Sequence, residues 1–517
     1  MRNWIKVPDS GLNFRICHEI RKFSHQSDDA GNVFNRGDCG STSFIEAVKR
    51  RRPPGISAKE FTKRRDKLMG LLRNAPGKKF DQLLVCIAAG RTVYMADDVP
   101  YPFRQNSDFR YLCGLIEPNS LLLMHSPSPS EYRSHIFIPE NTAERKLWHG
   151  AGVDPTSAQD IAGVDSVHYM SHLKDFLQLT AASLHNTSFG LWRDLGTEWL
   201  NPSIALPRTG MPASFALLND FVAELRPMKG GAVLGNPAEH IHECRVVKSA
   251  AEVALMRHAA NITGEAITVA MRSSRAGMRE REVWALLEME SVLIGADGLA
   301  YPPVVATGLS ATAIDYIKNT ETLKSGDMIF VDCGCEVDGY CSDVSRAWPV
   351  SAGFTPSQTV LYEMVNDVRH QLLDHVKKLG NDYARYPSLE ELHIRMWDLQ
   401  SAKLKELKWI DRTADEKQAR LEASKFCPHH IGHYLGMDVH DCKLVSRSRQ
   451  LKEGMVFAVE PGIYINEDND AVPEGFRGIG FRIEDTIWLG PNGPEVLTEA
   501  CPSSTEAILA HRRGHVC

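Results

Sequence analysis

SGDMIFVDCGCEVDGYCSDVSRAWPV, residues 325–350, decides the fold. Its apolar run Met328-Ile329-Phe330-Val331 predicts a buried strand that ends in Asp332. Gly339 supplies a turn, and Tyr340 to Val350 predicts a second strand carrying Asp343, eleven positions after Asp332. A hairpin of this kind brings both carboxylates to one place. Taken alone, an Asp at a strand end is a turn or cap residue.

A second stretch changes that reading. LKEGMVFAVEPGIYI, residues 451–465, runs parallel to the first: Lys324 to Asp332 matches Lys452 to Glu460. Each apolar strand ends in a carboxylate, and each is followed by a further strand carrying another, Asp343 in the first and Glu484 of GFRIEDTIWL in the second. The pattern is a degenerate internal duplication. Two facing hairpins would converge four carboxylates, and four buried carboxylates stay ionised only if cations neutralise them. Between the hairpins, HHIGHYLGMDVHD (residues 429–441) offers His429, His430, His433 and His440 as a fifth ligand. Carboxylates with one imidazole suit Mn²⁺ or another hard-to-borderline divalent ion. Bridging carboxylates could hold two ions roughly 3.5–4 Å apart, as in two-metal hydrolases.

Asp332, Asp343, His433, Glu460 and Glu484 together resemble the ligand set of the pita-bread metallopeptidases. The DCGC turn, the HxxGHxLGxxVHD pattern, VEPGIY and RIED stand in the order of that family. PYPFRQNSDFRYLCGLIEPNS (residues 100–120) and AYPPVVATG (residues 300–308) narrow the resemblance to aminopeptidase P (Xaa-Pro aminopeptidase), most like its mitochondrial aminopeptidase P3 branch. It covers about residues 55–505. The resemblance implies an α/β N-terminal domain followed by a pita-bread domain of α+β type with internal pseudo-twofold duplication. It implies a metallo-exopeptidase that releases the N-terminal residue before proline by attack of a hydroxide bridging two Mn²⁺ ions. Glu460 is the expected proton shuttle. His440 is expected to hydrogen-bond the substrate carbonyl, His429 and Arg482 to shape the pocket beside it, and Tyr301 to contact substrate. Arg482 has a plainer alternative, neutralising the carboxylates. His430 is expected in a supporting or solvent position, Asp441 in a turn, and Asp485 on the face away from the metals.

One position departs from the family. Relatives carry a His-Tyr pair where this chain reads Ile314-Asp315-Tyr316, so Asp315 stands in the place of an active-site histidine. An ionised carboxylate accepts but does not donate, and losing a proton-donating group predicts a deficit of roughly 10²–10⁴-fold on Xaa-Pro substrates. Alternatives are therefore a mitochondrial intermediate-cleaving peptidase that trims one residue from imported precursors, the dipeptide-restricted prolidase, and a weakly active or non-catalytic member. Scaffolds of this fold usually lose ligands, whereas all five are present here.

The 517 residues allow two or three domains. A formal charge of −6 argues against nucleic-acid or anionic-membrane partners, and no apolar run approaches a membrane span. The twelve cysteines contain no CxxC pair, so structural zinc is disfavoured and Cys333, Cys335 and Cys341 are read as packing residues. Residues 1–53 are read as leader and linker, with Arg21-Lys22-Phe23-Ser24 resembling a mitochondrial processing site. The alternative is a basic tail. Lys49-Arg50-Arg51-Arg52 is read as a solvated linker. The implied location is mitochondrial, with a cytoplasmic pool left open. Residues 54–240 are expected to form the N-terminal domain, through which a homodimer assembles, and residues 245–510 the catalytic domain. Capping boxes at Ser57/Glu60, Ser249/Glu252, Thr355/Gln358 and Ser388/Glu391 predict helix starts.

Overall fold

In the computed structural model the described residues are 52–75, 80–128, 130–183, 189–194 and 233–513. The expected leader and its cleavage motif lie outside them. Ser57 starts helix Ala58–Arg73, its side chain accepting from the Glu60 amide. Glu60 does not close the box: its carboxylate takes Arg64 at 2.7 Å and the Ser249 hydroxyl at 2.8 Å. The other three boxes form in full and open helices Ala250–Ser273, Pro356–Lys377 and Leu389–Glu406.

The N-terminal part is one mixed sheet of six strands. These are β1 (Gln82–Ala88), β4 (Leu121–Ser128), β5 (Glu131–Ile138), β6 (Ser166–Tyr169), β7 (Phe189–Asp194) and β8 (Val233–Gly235), in the order β6-β5-β4-β1-β7-β8. A small hairpin, β2 (Tyr94–Ala96) and β3 (Val99–Pro100), stands apart. β1 reads as a near-continuous apolar run because its residues from Leu83 to Ala88 are all buried.

The remaining strands carry the duplication. The first hairpin runs β11 (Met328–Cys333), β12 (Cys335–Val337), β13 (Tyr340–Cys341) and β14 (Val344–Pro349), with β9 (Gly298–Leu299) beside β12 and β10 (Val304–Thr307) beside β11. The second runs β15 (Val456–Val459), β16 (Gly462–Tyr464), β17 (Gly480–Arg482) and β18 (Asp485–Gly490), with β19 (Gly493–Val496) beside β18. Helices Ala250–Ser273 and Glu280–Ile294 precede the first hairpin, and Pro356–Lys377 and Leu389–Glu406 the second. Setting aside β9 and β10 in the first half and helix Glu416–Ser424 in the second, each half reads helix, helix, strand, carboxylate, strand, strand, carboxylate, strand, with Asp332 held inside β11 itself.

The strand expected from Tyr340 to Val350 is broken at Ser342-Asp343. The Ser342 amide donates to the Cys335 carbonyl at 3.0 Å, and the strands close so tightly there that a Cβ on Gly334 would lie 1.9 Å from the Ser342 carbonyl oxygen. The kink lets Asp343 leave the ladder just before β14. One core joins the N-terminal sheet to the duplicated part, from Phe61, Leu68 and Leu112 to Met256, Tyr340 and Leu435. Among the described residues no helix is long and apolar enough to cross a membrane.

Candidate metal centre

Asp332 sits inside β11, opposite Ser345 of β14 and Val304 of β10. Asp343 lies at the kink, Glu460 between β15 and β16, and Glu484 between β17 and β18. His433 comes from a segment that runs beside β15: the Ala458 amide donates to the His433 carbonyl at 2.9 Å and the Glu460 amide to Ile431 at 2.8 Å. That approach needs Gly432, since a Cβ there would meet the Ala458 carbonyl oxygen at 1.9 Å.

Ligand atoms of Asp343, His433 and Glu484 all lie within 4.8 Å of one another. His433 Nε2 is 3.4 Å from Asp343 Oδ2 and 3.8 Å from Glu460 Oε1. Its Nδ1 lies 3.1 Å from the Tyr434 carbonyl. A proton on Nδ1 leaves the Nε2 lone pair toward the carboxylates, the orientation of an imidazole ligand. Asp332 is engaged otherwise: the Tyr301 hydroxyl lies 2.6 Å from Asp332 Oδ1 and also within hydrogen-bond reach of Asp343, its one proton shared between them, while Arg482 pairs with Asp332 Oδ2.

Burial and the neighbouring Asp332 push the Asp343 carboxyl up to about 6. Burial, Asp343 and Glu460 raise Glu484 as well. Glu484 Oε2 accepts from Ser345 Oγ at 2.8 Å, but buried Oε1 has no hydrogen-bond partner. An orphaned carboxylate oxygen among further carboxylates and an imidazole is a donor set that fits a hard-to-borderline divalent cation.

A cavity of about 350 Å³ opens over these groups, its lining including Tyr301, His429, His440, Arg482 and the rim residue Asp315. His440 is exposed at the mouth, its ring edge-on to His433 at 4.3 Å between centroids. Partial burial and His433 lower its pKa, which favours the neutral ring. His429 Nδ1 lies 3.8 Å from Glu460 Oε2, and its Nε2 lies 3.1 Å from the Tyr464 hydroxyl. Arg482 also donates to that hydroxyl at 3.1 Å and faces Glu460 at 3.7 Å. His430 stacks on His393 at 4.4 Å, with Nδ1 2.9 Å from the Gly432 carbonyl. Asp485 turns the other way, where Arg346 binds it at 2.8 Å and Arg369 also pairs with it.

Asp441 corrects its expected turn role. It is buried and pairs with Arg245 and with Lys248 at 3.1 Å. Against the upward push of burial, those cations hold its carboxyl well below the usual range. Sequence reasoning also missed Ser345, Tyr464 and Arg447. Strand alternation from Asp343 could have found Ser345, and alternation within β16 could have found Tyr464. Arg447 lines the cavity from an irregular loop and carries no such signal.

Residues 254–491 match Metallopeptidase family M24, and residues 61–188 match Aminopeptidase P, N-terminal domain. The chain is 36% identical over 463 residues to Xaa-Pro aminopeptidase 3 of Homo sapiens, covering 88% of this chain and 86% of that one. It is 31% identical over 468 residues to the mitochondrial Intermediate cleaving peptidase 55 of Arabidopsis thaliana, covering 89% and 84%. The solved structure of proline aminopeptidase P II from Yersinia pestis superposes with a TM-score of 0.76 at 28% identity, covering 89% of this chain and 100% of that one. The chain thus belongs to the aminopeptidase P family, with a pita-bread M24 domain behind its N-terminal domain, and is a hydrolase of the divalent-metal aminopeptidase class.

Proposed function

We propose that this chain releases the N-terminal residue from Xaa-Pro peptides, with Asp332, Asp343, His433, Glu460 and Glu484 holding two divalent cations, manganese in our reading. The observation that carries the reading is the convergence of both hairpins on one cavity floor, where Glu484 Oε1 is left without a protein partner. Bound cations supply a water acidic enough to attack at neutral pH and polarise the scissile carbonyl. Glu460 takes the proton from the attacking water and returns it to the leaving amine nitrogen. Neutral His440 donates from its ring N–H to the substrate carbonyl oxygen. His429 and Tyr464 hold the wall beside Glu460, and Arg482 balances Asp332. Tyr301, tied to both aspartates, faces the substrate. Pro302, Val304, Ile314, Ile317 and Val439 offer an apolar wall to a pyrrolidine ring. Metal analysis of the purified protein, with product analysis on an Xaa-Pro-Yaa peptide, an Xaa-Pro dipeptide and a proline-free peptide, tests this. Cleavage of the proline-free peptide alone would overturn the proline preference.

A second reading is trimming of imported precursors without a proline requirement. It is favoured by Asp315, an exposed anion at the cavity rim able to take a substrate ammonium. We further place the N-terminal domain at 54–240 and the catalytic domain at 245–510, with a homodimer formed through the former. The mature chain is proposed to begin near Ser24 inside mitochondria. Light scattering and N-terminal sequencing of the native protein test these two assignments: a monomer at micromolar concentration, or an intact Met1, would refute them.

A further inference from the structure

His440 lies in an irregular bend, residues 436–440, so neither strand nor helix sets where its ring points. The polar ties of the bend fall on the residues flanking Val439-His440. On one side, Asp438 Oδ1 accepts from Ser107 Oγ at 2.6 Å and from Arg104 Nη1 at 3.2 Å, while Oδ2 accepts from Arg245 Nη2 at 2.8 Å. Arg104 also donates to the Met437 carbonyl. On the other side, Asp441 accepts from the same Arg245 nitrogen and from Lys248, and its amide donates to the Tyr434 carbonyl at 2.9 Å. The second Arg245 nitrogen, Nη1, goes to Asp108 Oδ1. Ser107 and Asp108 are the first two residues of helix Ser107–Cys113, inside the segment that matches the aminopeptidase P N-terminal domain. A two-residue span carrying His440 is thus strung between two carboxylates, and one of them is gripped by the other domain.

We propose that Asp438 is a positioning residue for His440, and that the N-terminal domain sets the geometry of the active site by holding Asp438 through Ser107 and Arg104. This rests on the reading that His440 touches the substrate. A plain alternative is that the cluster only cements the domains together. The two differ in what they predict. Cement acts on stability and metal content together, whereas positioning acts through His440 alone. Asp441 and Arg245 are poor probes, because removing either leaves buried charges unpaired and threatens folding. Asp438 is half-buried, and Asp438→Asn keeps its shape while weakening its grip.

The test is a double-mutant cycle with Asp438→Asn and His440→Ala on metal-loaded protein, assayed on an Xaa-Pro-Yaa peptide. A misplaced reacting group predicts a fall in kcat of about tenfold to a hundredfold in Asp438→Asn, with KM and metal content unchanged. In the His440→Ala background the same change is expected to add less than about twofold, because the two residues act as one unit. Equal losses in both backgrounds, or wild-type kcat in Asp438→Asn, overturn the proposal. Hydrogen–deuterium exchange gives a readout independent of activity. Exchange in residues 434–442 is expected to quicken in Asp438→Asn and, less strongly, in Ser107→Ala, which removes a single hydroxyl and keeps the fold within reach if Asp438→Asn does not fold. Unchanged exchange in both overturns the proposal. If the wild type fails to cleave Xaa-Pro-Yaa, the substrate reading falls by itself and the exchange result still decides whether the N-terminal domain holds the bend.

Discussion

In the first half of the duplication, β10 runs antiparallel beside β11, the strand that carries Asp332, with Val304 opposite that aspartate. In the second half, residues 431–435 run antiparallel beside β15, with Ile431 bonded to the Glu460 amide and Tyr434 paired with Phe457. These outer neighbours hold the same place and bring different groups. The first brings Tyr301, whose hydroxyl ties Asp332 to Asp343. The second brings His433, an imidazole aimed at Asp343 and Glu460. The halves also complete each other. Arg482 of the second pairs with Asp332 of the first, and Ser345 of the first donates to Glu484 of the second. A duplicated scaffold has thus become one site that neither half forms alone: short aspartates tied by neighbours on one side, longer glutamates, with one Glu484 oxygen left unpartnered, on the other.

The strongest way to break this division is on the second side. Glu460→Ala and His433→Ala are each expected to lower kcat/KM by about 10²–10⁴-fold or more while the protein stays folded. Circular dichroism, metal analysis and a peptide assay check this together. Full activity in either variant with metal retained would refute the assignment.

Tyr301→Phe against Ser345→Ala sharpens the comparison. Each removes one hydroxyl that orients a proposed ligand, and lost supporting hydrogen bonds weaken metal affinity by about 10–100-fold. Tyr301 serves two carboxylates and Ser345 one, so Tyr301→Phe is expected to weaken metal binding more. Titration of metal-free protein with manganese measures both. The reverse order would mean that the second half dominates the affinity.

Much of this was legible before any coordinates. The buried strands showed as apolar runs bounded by Gly326 and Gly454, and a carboxylate was read at the end of each, although Asp332 lies inside β11. Helix starts at Ser249, Thr355 and Ser388 were written in the capping pattern, because that interaction spans only three residues. What stayed hidden is long-range. Asp441 finds Arg245 across 196 positions and Asp438 finds Ser107 across 331, distances over which no local pattern survives. The break at Ser342-Asp343 was hidden for a related reason: it is imposed by the close approach of Gly334, not by the residues that bend.

Chelation tests the charge balance of the two sides. Asp343 has a folded pKa near 6 against an ordinary 3.8, and Glu484 is raised too. A carboxyl raised on folding keeps protons that the unfolded chain has released. Without cations, the fold therefore loses stability as pH rises from about 3.8 through about 6, by about 3 kcal/mol from Asp343 alone. Cations relieve that repulsion. The drop in Tm on adding a chelator is expected to be small at pH 5 and larger at pH 7.5. Equal drops would show that the carboxylates are neutralised by the protein itself.

The smallest effect belongs to Asp315. It lies on the connection from β10 to β11. The sequence alone predicts a deficit of roughly 10²–10⁴-fold from the lost proton donor. In the fold Asp315 is exposed in a turn at the rim, apart from the buried Asp332, Asp343 and Glu484. Water and salt screen an exposed charge, so its repulsion of a developing oxyanion is weak. What remains is the missing donor. Asp315→His restores a group that can donate to the substrate backbone, and kcat/KM on Xaa-Pro-Yaa at fixed manganese is expected to rise by up to about tenfold, below the range for a fully engaged acid–base group. An unchanged or lower value would mean that Asp315 binds the substrate ammonium. In that case proline-free peptides should lose more than Xaa-Pro peptides in the same variant, because the apolar wall still holds the proline ring.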